Sequence, residues 1–153
     1  MSAVLKRQYD FRPMRMDDLD AIMVIEPQIY LYPWTRGNFR DSLNSGYSAW
    51  VLMHNKEIIG YSLMMMVLDE AHLLNLSIAK TYQKQGLGHS LLEYMVDIAK
   101  KNQMANMFLE VRQSNISAIA LYENMGFNEM AIRRNYYLAA SGREDAILMG
   151  LSL

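Results

Sequence analysis

The chain has 153 residues, 52% hydrophobic and 20% charged, which suits a single folded domain with a proper core. Its formal net charge of −1 gives no general field drawing it to nucleic acid or to an anionic membrane. It has no cysteine, which excludes disulfides, a thiol nucleophile and cysteine-ligated metal centres, and fits a reducing cytoplasm. The histidines, His54, His72 and His89, lack metal-ligand spacing, so no metal is expected. The stretch Met1–Arg12 lacks the apolar core of a signal peptide, and the apolar run Leu63–Leu68 is too short to span a bilayer.

In chain order, Tyr9–Met14 reads as an edge strand ended by Pro13. Asp17 is a fitting N-cap for a helix from about Asp18 to Ile25, with Leu19, Ile22 and Met23 at helical spacing. Pro27 and Pro33 bracket an irregular aromatic segment, and Thr35 caps a short helix to Ser42, closed by Asn44-Ser45-Gly46. Strands are expected over Ala49–His54 and Ile58–Leu68, joined by a turn at Asn55-Lys56-Glu57, and Asp69-Glu70-Ala71 turns into a strand at His72–Ile78. Fourteen methionines, among them Met64-Met65-Met66, read as core filling. A helix follows from Leu87 to about Asn102, with Leu87, Leu91 and Met95 on one stripe. Met107–Arg112 is a strand, Ser114 or Asn115 caps a helix to Asn124, and Gly126 ends it. Phe127–Arg133 and Asp145–Leu151 form a last strand pair across a longer loop containing Ser141-Gly142. This order predicts one mixed α/β domain over residues 1–153, with parallel strands from the two β–α units.

Between the fourth strand and its helix lies Gln83-Lys84-Gln85-Gly86-Leu87-Gly88. Glycines at a strand-to-helix turn let main chain approach a ligand, and a helix N-terminus favours phosphate. The Lys-Ser/Thr of a P-loop is missing after Gly88, and the third glycine of a dinucleotide fingerprint is absent. Taken alone, the pair of glycines also fits a plain tight turn.

Its context adds more. Gln83-x-x-Gly86-x-Gly88 after the fourth strand resembles the acyl-CoA loop of the GCN5-related N-acetyltransferase (GNAT) family. Asn115, Ala120-Leu121-Tyr122-Glu123 and Gly126-Phe127 resemble that family's second block. A narrower resemblance, to the branch that acetylates the N-terminal alanine of a bacterial ribosomal protein, rests on seven groups of residues. These are Pro33-Trp34, Phe108–Arg112, Asn115, Ala118–Glu123, Gly126-Phe127, Arg133–Tyr137 and Gly142–Ala146. The chain departs from the family at Ala79–Tyr82, where a proline is usual, and at Lys84, where an arginine is common.

The resemblance implies an α/β (α+β) GNAT-like domain with a mixed central sheet and helices on both faces. It implies acetyl-CoA as co-substrate and a cytoplasmic enzyme acting on the N-terminal peptide of a ribosomal protein. A small-molecule amine or another protein N-terminus is the alternative substrate, and the oligomeric state is left open. Cofactor contacts are expected from Leu76, Ser77 and Ile78, from Gln83, Lys84, Gln85, Gly86, Leu87, Gly88, His89 and Ser90, and from Asn115. Main chain of Leu76–Ile78 is expected to pair with the pantetheine arm as an added strand would, with the Ile78 amide as oxyanion donor.

Acetyl transfer to an amine needs a base for the ammonium and benefits from an acid for the departing thiolate. Glu110, in mid-strand among apolar neighbours, sits where desolvation raises a carboxylate's pKa, and the resemblance makes it the general base. A strand glutamate paired with Arg112 is the plainer reading. Tyr122 is the implied general acid, against a plain core aromatic, and Asn115 also reads as an N-cap. Tyr32, Trp34, Asp69, Glu70, Tyr136 and Tyr137 are candidates for the peptide groove, where Glu26, Asp69 or Glu70 suits a basic peptide.

Overall fold

A computed structural model of the chain describes residues 9–153, so Met1–Gln8 of the stretch read for a targeting signal lie outside the described residues. The elements are β1 (Tyr9–Pro13), a 3-10 turn (Met16–Asp18), α1 (Leu19–Ile29), α2 (Arg36–Asn44), β2 (Ser48–His54), β3 (Glu57–Val67) and β4 (Glu70–Ile78). A second 3-10 turn (Lys80–Tyr82), α3 (Leu87–Lys101), β5 (Asn106–Arg112), α4 (Ile116–Met125), β6 (Asn128–Ala139) and β7 (Gly142–Ser152) follow. The strands hydrogen-bond in the order β1-β2-β3-β4-β5-β7-β6, and the sheet is mixed: β4 and β5 are parallel, while β1–β2, β2–β3, β5–β7 and β6–β7 are antiparallel. Contacts group the described residues into two compact units, residues 9–64 with Asn75–Leu92, and Met65–Leu74 with Glu93–Leu153.

In the first unit, alternate residues of β2 serve different cores, as a pleated strand requires. Ala49 and Val51 join Leu19, Ile22, Phe39 and Tyr61, whereas Leu52 joins Ile59, Ile78, Leu87 and Leu91. Asp18, rather than Asp17, organises the entry to α1: it accepts from the Arg15 main-chain N–H (2.7 Å) and holds the Arg12 guanidinium through both oxygens (2.7 and 2.8 Å). The helix runs past Ile25 and through Pro27 to Ile29. Pro27 forfeits one bond, to the Met23 carbonyl, and the next turn is kept by Tyr30 N–H to the Glu26 carbonyl. Thr35 caps α2 as expected, accepting from Asn38 N–H.

The β2–β3 hairpin closes on Asn55 and Lys56 alone, both at positive φ (48° and 68°), so Glu57 belongs to the strand opposite His54. Likewise the β3–β4 turn is Leu68-Asp69, with Leu68 at φ 56°, and Glu70 begins β4. Gly60 of β3 lies tightly against β4: a Cβ there would meet Ile78 Cδ1 at 2.8 Å and the Ser77 carbonyl oxygen at 3.0 Å.

In the second unit β5 alternates cleanly, with Met107, Leu109 and Val111 buried and Phe108, Glu110 and Arg112 half-buried on the other face. Met64 in the first unit and Met95, Met107 and Met149 in the second are buried, as the core reading expects, but Met65 and Met66 are half-buried and Met16 and Met130 exposed, so that reading holds for only part of the methionines. Asn115 caps α4 by accepting from Ala118 N–H (3.2 Å), and Gly126 ends it at φ 107°. The last strand pair is longer than its pattern suggests, and the expected long loop shrinks to Ala140-Ser141. Most of β6 is solvent-exposed, so no apolar alternation marks it, and a register shift between Arg133 and Tyr137, with Asn135 at φ 52°, breaks its period. The parallel pairing expected of the β–α units is present for β4 and β5. Strand β6 runs in the same direction but is separated from β5 by β7.

Candidate active site

Leaving Ile78, the chain makes the Lys80–Tyr82 turn and enters the glycine loop. Gln83 folds back to donate from Nε2 to the Ile78 carbonyl (2.9 Å). Lys84 (φ 63°) and Gly86 (φ 84°) bend the chain, and the Gly86 carbonyl accepts both the N–H (3.2 Å) and the hydroxyl (3.3 Å) of Ser90. Gly86 thus caps α3, and the N–H groups of Leu87, Gly88 and His89 have no acceptor within the helix. The Leu87 side chain is buried beside Ile59, Ile78 and Leu91, which anchors the turn, while residues 83–86, His89 and Ser90 are exposed. Nothing lies within 4 Å of a Cβ placed on Gly86. This open turn of main-chain donors at the head of a 15-residue helix suits a pyrophosphate.

The end of β4 is also a main-chain surface. Its parallel ladder with β5 runs from Glu70↔Asn106 to Leu73↔Leu109, so residues 74–78 extend past it. Ala79 N–H donates to the Ile59 carbonyl (2.7 Å), and the Ser77 carbonyl faces Gly60. By the alternation of a strand, Leu76 and Ile78 direct their main-chain groups the other way, away from β3. There, Tyr30 Oη donates to the Leu76 carbonyl (3.2 Å) and Gln83 occupies the Ile78 carbonyl. The two N–H groups remain as directed donors. Ser77, grouped above with these contacts, instead turns its main chain to β3 and its hydroxyl into a buried network.

That network centres on Glu26, which is 1% exposed. Its Oε2 accepts from Trp34 N–H (2.9 Å), and its Oε1 accepts from Tyr61 Oη (2.7 Å) and Asn75 Nδ2 (3.4 Å). Ser77 Oγ donates to Asn75 Oδ1 (2.6 Å) and lies 2.8 Å from Tyr30 Oη. Burial pushes the Tyr30 phenol up to about 12, and burial followed by the Glu26 charge pushes Tyr61 well up. Glu26 is therefore an internal residue and not part of a groove for a basic peptide. It occupies the i+7 position of the buried stripe begun by Leu19 and Ile22, a spacing from which its burial was readable. Nothing in the chain's periodicity pointed to Tyr30 or Asn75.

In the second unit, Glu110 stands opposite Leu148 on the half-buried face of β5. Its Oε2 is buried and accepts no hydrogen bond among the described residues; Arg133 Nε lies 3.3 Å away without the alignment of one. Arg112, considered above as a partner for Glu110, binds Glu144 (2.8 Å) and lies over the Tyr137 ring at 4.5 Å. That guanidinium holds the Glu144 carboxyl below the usual carboxylate range. Burial, and then the charge of Glu110, pushes the Tyr137 phenol up to about 12. Tyr136 meets Tyr137 edge-on at 4.9 Å, with Arg133 over its ring at 5.5 Å. Tyr136 and Tyr137 are thus gathered with Glu110. Tyr122 is buried and packs edge-on against Phe127 at 5.7 Å, two helical turns beyond Asn115 and on the same face of α4.

Asp69 and Glu70 are not brought to Glu110. Glu70 is level with Asn106, four residues before Glu110 and so about 13 Å away along the strand. Glu70 lies 3.8 Å from His72, and the Asp69 carbonyl accepts from Ala105 N–H (2.7 Å). Within the first unit, Tyr32 is exposed, and the Trp34 ring lies 5.0 Å from Phe39. Among the described residues, no group of histidines and carboxylates is arranged to hold a metal, and no helix is long and apolar enough to cross a membrane.

Residues 19–127 match the acetyltransferase (GNAT) family model. The chain belongs to this family, and as such it is an acetyltransferase that uses acetyl-CoA. It is 44% identical over 136 residues to the [ribosomal protein bS18]-alanine N-acetyltransferase of Escherichia coli (strain K12), covering 89% of this chain and 92% of that one. A relative of the same name from Haemophilus influenzae is 42% identical over 137 residues, 89% and 93% of the two chains. The crystal structure of the ribosomal-protein-S18-alanine N-acetyltransferase from Escherichia coli superposes with a TM-score of 0.89 at 42% identity, covering 94% and 93%. Ard1 from Thermoplasma volcanium shares the fold, with a TM-score of 0.86 at 21% identity over 95% and 98%.

Proposed function

We propose that this protein transfers the acetyl group of acetyl-CoA to a protein N-terminal α-amine, that of the alanine of ribosomal protein bS18. The observation that carries the chemistry is the buried Oε2 of Glu110, an acceptor with no hydrogen bond of its own. The Arg133 guanidinium, 3.3 Å away, offsets its charge without taking up its hydrogen-bonding capacity, which is left for an incoming ammonium. The likeness to enzymes of that name over about nine-tenths of both chains supports the substrate.

Acetyl-CoA, when bound, supplies an electrophilic thioester carbonyl. Main-chain donors of Leu87, Gly88 and His89 hold its pyrophosphate, with Gln83, Lys84, Gln85, Gly86 and Ser90 shaping the turn. The Leu76 and Ile78 amides orient the pantetheine arm, and the Ile78 N–H faces the oxygen on which negative charge develops. A free α-amine has a pKa of roughly 8, so Glu110 takes a proton from the ammonium, directly or through water. The amine nitrogen forms the new C–N bond, the C–S bond breaks, and Tyr122 gives its phenolic proton to the leaving sulfur, while the second proton, shed by the nitrogen as it becomes an amide, restores the phenol through solvent. Without a cysteine the acetyl group passes directly from donor to amine. Tyr136 and Tyr137 on the Glu110 face, and Tyr32 and Trp34 after α1, contact the peptide, and Asn115 contributes to the donor site besides capping α4.

The test is to incubate the protein with acetyl-CoA and peptides that differ only in their first residues, and to read mass shifts. Acetylation of the alanine-initiated ribosomal peptide, with markedly less on peptides starting with bulky residues, is expected. Transfer to polyamines or other small amines without transfer to that peptide would overturn the substrate reading.

A further inference from the structure

The Glu26 network joins two pieces of the first unit that are far apart in sequence. At one end the carboxylate holds the main-chain N–H of Trp34, fixing the segment after α1; at the other, through Asn75 and Ser77, it reaches Tyr30 and the Leu76 carbonyl. Proton counting gives the chain of bonds one direction. The single Ser77 hydroxyl proton goes to Asn75 Oδ1 at 2.6 Å. The single Tyr30 proton is therefore shared between Ser77 Oγ (2.8 Å) and the Leu76 carbonyl (3.2 Å). Asn75 in turn donates to Glu26. Every bond into Glu26 comes from a donor, so only an acceptor on both oxygens satisfies Trp34, Tyr61 and Asn75 together. An apolar side chain packs a helix stripe without the desolvation penalty of a buried carboxylate, so core filling does not explain this residue.

We propose that Glu26 and Tyr30 are positioning residues that couple donor binding to peptide binding. The inference rests on the reading given above, in which Leu76–Ile78 receives acetyl-CoA and Tyr32–Trp34 meets the peptide. Seating the pantetheine arm on the Leu76 and Ile78 amides fixes that strand segment. The same run of directed bonds holds the Trp34 N–H, so donor and peptide bear on one hydrogen-bonded unit.

The experiment measures peptide dissociation constants by calorimetry, with and without saturating coenzyme A, using the alanine-initiated ribosomal peptide. In the unaltered protein, coenzyme A tightens peptide binding on the order of tenfold, and the peptide tightens coenzyme A by the same factor. Glu26→Gln keeps the side-chain volume but presents a second donor to Trp34 or Asn75, and the coupling factor falls to about one while coenzyme A affinity in the absence of peptide changes less than about threefold. Tyr30→Phe, which removes only a hydroxyl, supplies the comparison should Glu26→Gln fold poorly, and it reduces the factor by about half or more. A coupling factor unchanged in both variants, or absent from the unaltered protein although both ligands bind, overturns the proposal. Failure of coenzyme A to bind any of the proteins overturns instead the reading of the donor site.

Discussion

The donor side and the amine side of the proposed reaction are built from different materials. Residues 76–90 offer main-chain N–H groups, at the end of β4 and in the first turn of α3, and their side chains mainly hold that backbone in place: Leu87 from the core, Gln83 on the Ile78 carbonyl. On the half-buried face of β5 and along α4 the chemistry is instead in side chains, with the unbonded Oε2 of Glu110 and the buried phenol of Tyr122. A backbone site is sensitive to conformation and tolerant of side-chain identity, whereas a side-chain site is sensitive to a single functional group.

Substituting the side-chain site is expected to have the largest effect. Glu110→Gln keeps shape and loses the base, so kcat/KM falls roughly 100-fold at neutral pH. The loss shrinks as pH rises past roughly 8, where the α-amine is already neutral. Tyr122→Phe slows kcat by roughly tenfold to a hundredfold with acetyl-CoA affinity held. Steady-state kinetics across pH decide both assignments, and full turnover in Tyr122→Phe removes the tyrosine from the mechanism.

An intermediate effect is expected for Gly86→Ala. Space is open around Gly86, so a methyl group meets no atom, and the whole cost comes from φ 84°, about 1–2 kcal/mol for a residue with a Cβ. Acetyl-CoA affinity drops on the order of tenfold while kcat at saturation stays close to that of the unaltered protein. If kcat falls and affinity holds, the contrast between backbone and side-chain sites is wrong.

Asp18 lies outside both sites and tests the framework. Its carboxyl is held below the ordinary range, first by hydrogen bonds from Arg12, so this stabilisation is complete above about pH 4 and is lost as pH falls through the depressed value. Asp18→Asn lowers unfolding free energy by about 2 kcal/mol at neutral pH and flattens the acid limb of a denaturation curve, the smallest catalytic effect of the series. An unchanged acid limb counts against the Arg12 pairing.

These contrasts also explain what the sequence made readable. Strand β5 announces itself because Met107, Leu109 and Val111 alternate with half-buried residues, and the α3 and α4 termini carry glycine and asparagine, whose chemistry is local. Glu110, Tyr122 and the glycine loop sit at such marked points. Strand β6 was legible only in part, because a mostly exposed strand has no buried face to impose a period. Pro27 suggested a helix end that the last turn of α1 does not need. Asp69 and Glu70 were attractive as charges near β4, but their distance from Glu110 is a matter of parallel register, which local composition does not encode. The Glu26 network depends on contacts 35 and 49 residues apart, beyond the reach of any spacing rule.

The close approach of Gly60 to Ile78 and Ser77 makes the absence of a side chain at position 60 a condition for the way β3 and β4 lie together. A methyl group there has two neighbours to displace, and one of them carries the amide assigned to the developing oxyanion. The Ile78 contact is with the tip of its side chain, whereas the Ser77 contact is with main chain, so it is the Ser77 carbonyl that ties position 60 to the spacing of β3 and β4.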